Sequence, residues 1–278
     1  MEFFEKEQIS LYLSNMELLE EHCSKLQNVQ IYEHPALGKV LVIDGEIQNI
    51  EKWAPFYHEA ITHIPMMFIE QPHSVLILGG GDLYAAHIIL TYPSVKRVVI
   101  CDHDSNVISL TKKYYSHAKE VINDSRVQFI YTDARWYISN CEEKFDLIID
   151  DCFNLIEAFN EKDNVFEVLK HLLTDDVGIC CSLLYRHIFD KYVMKETKRR
   201  LFERNKTILS LVTVPEYPGI LHLLAIWGYS KHLSQNMRES VNTWHKECIT
   251  KNHSCGMLFS PKHCQFYLYL PPYIRILL

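Results

Sequence analysis

The run Val75-Leu76-Ile77-Leu78, closed by Gly79-Gly80-Gly81 and then Asp82, constrains this chain more than any other segment. Four consecutive apolar residues ending in a glycine turn predict a strand buried on both faces, because a half-buried strand would alternate. Comparable runs follow at Arg97–Cys101, Val127–Tyr131, Asp146–Ile149 and Gly178–Leu183. Apolar residues recur at helical spacing over Ala85–Thr91, Val107–Tyr115 and Val165–Leu173. Buried strands alternating with amphipathic helices predict an α/β fold with a parallel, doubly wound sheet.

The lead-in has a different period. Gln27–Tyr32 and Lys39–Ile43 alternate as strands do, Asp44-Gly45 has the chemistry of a hairpin turn, and Phe56–Phe68 returns to helical spacing. A small β-rich domain over residues 1–54 and a larger one over 55–278 are therefore expected, with Gln265–Leu270 before Pro271-Pro272 as a late antiparallel edge strand. The formal net charge of −7, with both signs mixed along the chain, offers no basic arm to a nucleic acid. Nine cysteines without a C-x-x-C pair read as reduced thiols, with no zinc or other metal site. The acidic start and the lack of a long apolar run point to a cytoplasmic protein with no membrane partner.

In such a sheet a ligand lies over the carboxyl ends of the strands. Glycine at the first turn lets backbone approach it closely. Asp82 follows that turn, Asp102 ends the next strand at the interval where an acid reaches ribose hydroxyls, and Asp133 ends a third strand, placed for an adenine amino group with Ala134 beside it. Each alone reads equally well as a solvated acid or a helix cap, but three at successive strand ends mark a nucleoside site. Leu83-Tyr84-Ala85 break the G-x-G-x-x-G pattern, and a carboxylate at Asp82 would repel a pyrophosphate while suiting an amino group.

Ser24 to Gln27, Gly38 through Gln48 and Tyr57-His58-Glu59 resemble the N-terminal part of the spermidine synthase (aminopropyltransferase) family. Gly79-Gly80-Gly81-Asp82 is similar to that family's glycine-aspartate loop, and Asp102-His103-Asp104 to its ribose-binding strand end. Tyr217-Pro218, and Phe259-Ser260-Pro261 with Leu270-Pro271, fall where the family has like segments, so the resemblance covers nearly the whole chain. It implies a Rossmann-like (class I methyltransferase-type) sheet with a small N-terminal β domain. It also implies S-adenosylmethionine or its decarboxylated form as donor, and a homo-oligomer, a dimer. By position, Gln27, Gln48, His58, Gly79, Gly80, Gly81, Asp82, Asp102, Asp133 and Ala134 would hold the nucleoside and its alkyl arm. Asp150 and Tyr57 would match the aspartate and tyrosine that free the acceptor's lone pair. A methyltransferase would share the sheet, but the N-terminal strands and Tyr57-His58-Glu59 favour propyl transfer.

The acceptor side departs from the family. Where the family reads aspartate-serine-serine-aspartate-proline, this chain reads Asp150-Asp151-Cys152-Phe153-Asn154, so Phe153 stands for the second aspartate, which helps to hold a diamine. Trp53 and Ala54 replace adjacent acids, and Ser182 and Leu184 a glutamine and a glutamate, with Arg186 close behind. These changes point to a less cationic, phosphate-bearing acceptor drawn by Arg186 or Arg135, with Asp151, Phe153, Arg186 and Tyr217 around it. This resembles the tailoring enzymes of microcin C-type peptide-nucleotide antibiotics, which move a 3-amino-3-carboxypropyl group to a phosphate. The acceptor would then be a small molecule or a peptidyl nucleotide, and the setting antibiotic biosynthesis. Asp151 and Glu216 remain as ammonium partners, so a spermidine synthase using putrescine stays open, as does a non-catalytic nucleoside-binding module.

Overall fold

The short strands β1 (Glu2–Phe4) and β2 (Ser10–Tyr12) pair antiparallel ahead of a four-stranded meander, β3 (Glu17–Cys23), β4 (Asn28–His34), β5 (Gly38–Ile43) and β6 (Glu46–Ile50). These elements belong to a computed structural model of the chain, which describes residues 2–4, 10–152, 165–185, 207–217, 221–234, 256–260, 264–270 and 272. Asp44 and Gly45 turn the β5–β6 hairpin with φ of 51° and 84°, as a two-residue turn that matches strand twist requires. The β5–β6 register slips between Leu41 and Val42: Val42 faces Ile47 but Leu41 faces Asn49, which leaves Gln48 as a bulge. Ile47 and Ile50 consequently join Val40 and Val42 in a small core of this sheet. Leu41 is on the opposite face, in the main core.

Helix α1 (Ala54–Met66) leads to the seven-stranded sheet. Its parallel part is β7 (Ser74–Gly79), β8 (Arg97–Asp102), β9 (Val127–Tyr131), β10 (Leu147–Asp151) and β11 (Ile179–Tyr185), and β12 (Thr207–Thr213) and β13 (Leu221–Gly228) add antiparallel. The order is β12-β13-β11-β10-β7-β8-β9. Val75, Ile77, Ile100, Leu147 and Ile149 face α1, α2 (Tyr84–Leu90), α3 (Ser105–Tyr114) and α4 (Ser116–Asn123). Leu76, Leu78, Val99 and Ile148 face α5 (Ala134–Asn140) and α6 (Val165–His171). The strands read as continuous apolar runs because both faces are covered, and each fully buried aliphatic side chain contributes about 1.5–3 kcal/mol. No described helix is long and apolar enough to cross a membrane.

The expected edge strand at Gln265–Leu270 is instead α7 (Cys264–Leu268). Cys264 and Leu268, four residues apart, are buried while Phe266 is 76% exposed, a helical spacing that alternation would not produce. The antiparallel additions come from β12 and β13.

The starts of β7 and β10 are tied by one carboxylate. Asp146 Oδ2 accepts hydrogen bonds from the backbone N–H groups of His73 (2.8 Å) and Ser74 (3.0 Å). Removing it in Asp146→Ala leaves two donors without this partner, and a loss of about 1–3 kcal/mol is expected. Urea unfolding of the variant should show a lower midpoint with an unchanged slope.

Candidate active site

Strand order reverses between β7 and β10: the chain runs outward through β8 and β9, then returns to lay β10 and β11 on the other side of β7. The crevice over this switch point is where open α/β sheets bind ligands. Gly79 and Gly80, with φ of 78° and 72°, close β7 there. A side chain at Gly79 would stand 2.7 Å from the Asp151 carbonyl oxygen, and one at Gly81 would stand 2.7 Å from Asp102 Oδ2, so the turn packs directly against both strand ends.

Helix α1 crosses this crevice, and three successive residues leave it about 100° apart. Tyr57 donates its hydroxyl to Asp151 Oδ1 at 2.8 Å. His58 places Nε2 2.9 Å from Asp82 Oδ2 and Nδ1 2.9 Å from the Ala54 carbonyl. Both ring nitrogens thus face acceptors, which an imidazolium satisfies and a neutral ring cannot when Asp82 is ionised. Burial pulls His58 downward, but the Asp82 carboxylate outweighs it and lifts the pKa to about 9. For Asp82, burial acts upward while His58 and the Tyr84 N–H act downward, and the carboxyl ends well below its usual range. Glu59 faces a third way: its carboxylate accepts from the backbone N–H groups of Met257 (2.6 Å), Leu258 (2.8 Å) and Phe259 (2.6 Å). Glu59 therefore fastens a distant segment under the helix.

Asp82 is held from several sides. Its Oδ1 accepts from the Tyr84 N–H at 3.0 Å, its Oδ2 also accepts from Asn49 Nδ2 at 2.5 Å, and His117 Nε2 lies 2.8 Å from its carbonyl. Leu83 follows in a left-handed conformation, φ 63°, with its side chain fully buried. That conformation costs roughly 1–2 kcal/mol for a residue with a Cβ, and it starts α2 in the direction that leaves Asp82 over the crevice.

Asp102 accepts from the N–H of Asp104 at 2.9 Å and from Gly81, and burial raises its pKa. Asp104, itself buried, caps α3 through Asn106 N–H, and its Oδ2 has no protein partner. Asp133 instead caps α5, accepting from the N–H groups of Arg135 and Trp136, and pairs with Arg135 at 2.8 Å in an exposed position. Its carboxylate is thus engaged by its own helix, with Ala134 as the first residue of α5. Gln27 lies in the turn before β4 with its Oε1 buried and without a partner, and Gln48 is the half-buried bulge residue of β6.

The expected partnership of Tyr57 with Asp150 is not what the structure holds. Successive residues of β10 point to opposite faces, so Asp151 shares the face of Ile149 beneath α1 while Asp150 shares the face of Ile148. Tyr57 reaches Asp151. Burial raises Asp150 to about 8, and its Oδ1 accepts the Cys152 N–H at 3.3 Å. Burial also raises Asp151, to about 7, against the pull of His58. Ser182, at the family's glutamine position, faces away from the crevice and accepts from the Trp227 indole at 3.3 Å. Tyr217 donates its hydroxyl to the Ile47 carbonyl at 2.9 Å, and Glu216, buried beside it, accepts from the Ile50 N–H at 3.3 Å. Phe153, Asn154 and Arg186 lie outside the described residues. Sequence reasoning passed over Asn49 and His117, and it took Asp104 only as part of the Asp102-His103-Asp104 segment, although an acid directly before a helix signals its capping role.

A profile for the spermine/spermidine synthase domain matches residues 54–240, and one for the spermidine synthase tetramerisation domain matches residues 3–51. The polyamine aminopropyltransferase of Archaeoglobus fulgidus is 34% identical over 225 residues, 73% of this chain and 72% of that protein. That of Thermoanaerobacter sp. (strain X514) is 30% identical over 201 residues, 70% and 71%. The crystal structure of spermidine synthase from Thermotoga maritima shares the fold, with a TM-score of 0.83 at 22% identity over 99% of this chain and 93% of that one. A spermidine synthase in complex with the transition state analogue AdoDATO aligns at 0.84 and 23%, with the same coverage.

The His58–Asp82 pair makes stability depend on pH in a stated direction. Because the folded pKa of His58 is raised from 6.5 to about 9, its contribution is fully present below pH 6.5 and is lost as pH rises through 9. Unfolding free energies measured from pH 6 to 10 should therefore fall in the parent protein and stay flatter in His58→Gln. Parallel curves would show that the imidazolium contributes nothing.

Proposed function

Because the chain belongs to the spermine/spermidine synthase family, we propose that it transfers an aminopropyl group from decarboxylated S-adenosylmethionine to a polyamine-type amine and releases methylthioadenosine. The observation that carries this reading is the half-buried Tyr57–Asp151 hydrogen bond beside the buried His58–Asp82 pair, over the switch point of the sheet. The acceptor nitrogen attacks the carbon next to the sulfonium. A C–N bond forms, the C–S bond breaks with its electron pair going to sulfur, and the nitrogen's proton passes to Asp151. A carboxyl whose pKa burial has raised to about 7 is suited to take that proton near neutral pH, and the Tyr57 hydroxyl keeps it aimed. Asp82 receives the ammonium of the donor's arm, while Asp102, Gln27 and Gln48 serve the nucleoside.

Asp151 in the general-base position moves the family's aspartate-serine-serine-aspartate-proline pattern by one residue, onto Asp151-Cys152-Phe153-Asn154-Leu155. Asn154, not Phe153, then matches the second aspartate, an amide of the same shape in place of the acid. This weakens the case for an anionic acceptor. Arg135 is already paired with Asp133 in an exposed position, while the buried Asp82 and Glu216 and the half-buried Asp151 lie around the imidazolium of His58. A phosphate would meet carboxylates where a diamine meets partners, and one such contact at about 4 Å is worth about 4 kcal/mol at an effective dielectric of 20. The comparisons run to polyamine enzymes and lend no support to the microcin C-type peptide-nucleotide reading or to antibiotic biosynthesis. We accordingly favour a diamine such as putrescine. The match to a tetramerisation domain over residues 3–51 supports a tetramer in place of the dimer first expected.

The test is methylthioadenosine release from decarboxylated S-adenosylmethionine with putrescine, set against S-adenosylmethionine with a phosphorylated nucleoside. Release only in the second pair would overturn the proposal, and tight nucleoside binding without release in either would leave a binding module. Asp151→Asn is expected to lower kcat by about 10²–10⁴-fold, the usual contribution of a positioned base. Asp150→Asn should act mainly on stability. The reverse ranking in steady-state kinetics would restore Asp150 as the base.

A further inference from the structure

Asn49 is 1% exposed, donates Nδ2 to Asp82 Oδ2 at 2.5 Å, and leaves its own Oδ1 buried with no protein partner. An amide facing a carboxylate must present its nitrogen, so the oxygen is the free end. The bulge at Gln48 is what aims this side chain: it puts Asn49 opposite Leu41 on the face that covers the main sheet, while Ile47 and Ile50 stay in the small core behind. One peptide further along, the Ile50 N–H holds Glu216, whose second oxygen is likewise buried without a partner. The bond to Asp82 accounts for the nitrogen of this amide but not for its oxygen, a buried acceptor that costs free energy until a donor completes it.

From this geometry we infer that Asn49 and Asp82 together form the subsite for the primary ammonium of the donor's alkyl arm. Nδ2 fixes the Asp82 carboxylate and the unpaired Oδ1 accepts a second N–H of the ammonium. Asn49 is thus a specificity-determining residue that favours a donor with a charged arm over the methylthioadenosine product, which lacks one. The inference rests on the donor assigned above.

Calorimetry with decarboxylated S-adenosylmethionine and with methylthioadenosine, on the parent protein and on Asn49→Leu, separates the two questions. Loss of the amide should weaken the donor roughly 10- to 100-fold, the range for a hydrogen bond to a charged group, and leave methylthioadenosine within about twofold. Retained methylthioadenosine affinity also shows that the variant folds, and Asn49→Ala, which adds no bulk, should give the same pattern. In Asn49→Leu combined with Asp82→Asn the losses should fail to add, because both act on one ammonium. Equal losses for both ligands, or no loss, would overturn the role of Asn49. A parent protein that neither prefers the donor to methylthioadenosine nor consumes it would instead overturn the functional reading beneath it.

Discussion

A buried ion pair, His58 with Asp82, joins the helix that roofs the crevice to the glycine turn that floors it. Taking two charges out of water is expensive, and such a pair stays favourable only when every remaining lone pair and proton is engaged. Here the Ala54 carbonyl takes the other imidazole proton, and Tyr84 N–H and Asn49 Nδ2 each donate to the carboxylate. Removing either charge would leave the other buried and uncompensated. One residue earlier on the same helix, Tyr57 reaches Asp151.

The same arrangement sorts the carboxyl groups by environment. Asp82, against a cation, is held ionised, while the buried Asp150 and the half-buried Asp151 at the end of β10 are raised by desolvation to about 8 and about 7. One acid therefore binds charge while another exchanges a proton at neutral pH, a division of labour produced by burial and partners alone. Leu83 contributes from the backbone, since its left-handed conformation begins α2 directly after Asp82.

The central strands β7, β8 and β10 were readable because both of their faces are buried, so that apolar residues follow one another up to the acids and glycines at their ends. β12 and β13 were not, since Ser210 and His222 break their apolar runs and their place beside β11 is a tertiary fact. That Asp82 and Asp102 lie over the crevice could be read from their positions at strand ends, where the chain must turn. The choice between Asp150 and Asp151 could not. Two adjacent acids fit one pattern in two registers, and only knowing which face of β10 lies under α1 decides between them. Asn49 was hidden for a related reason: alternation along β6 is reset by a bulge that leaves no mark in residue type.

The three hydrogen bonds that Glu59 accepts span 198 to 200 residues of chain. During synthesis the helix that carries Tyr57 and His58 is made early, yet its inward carboxylate has no partners until Met257, Leu258 and Phe259 emerge. A half-made chain can form much of the sheet, but it cannot bury this face of the helix without stranding a charge. Fastening this face of α1 therefore closes a very long loop, and because closure entropy grows only slowly with loop length, the late segment can be latched onto the helix at little more cost than a nearer one.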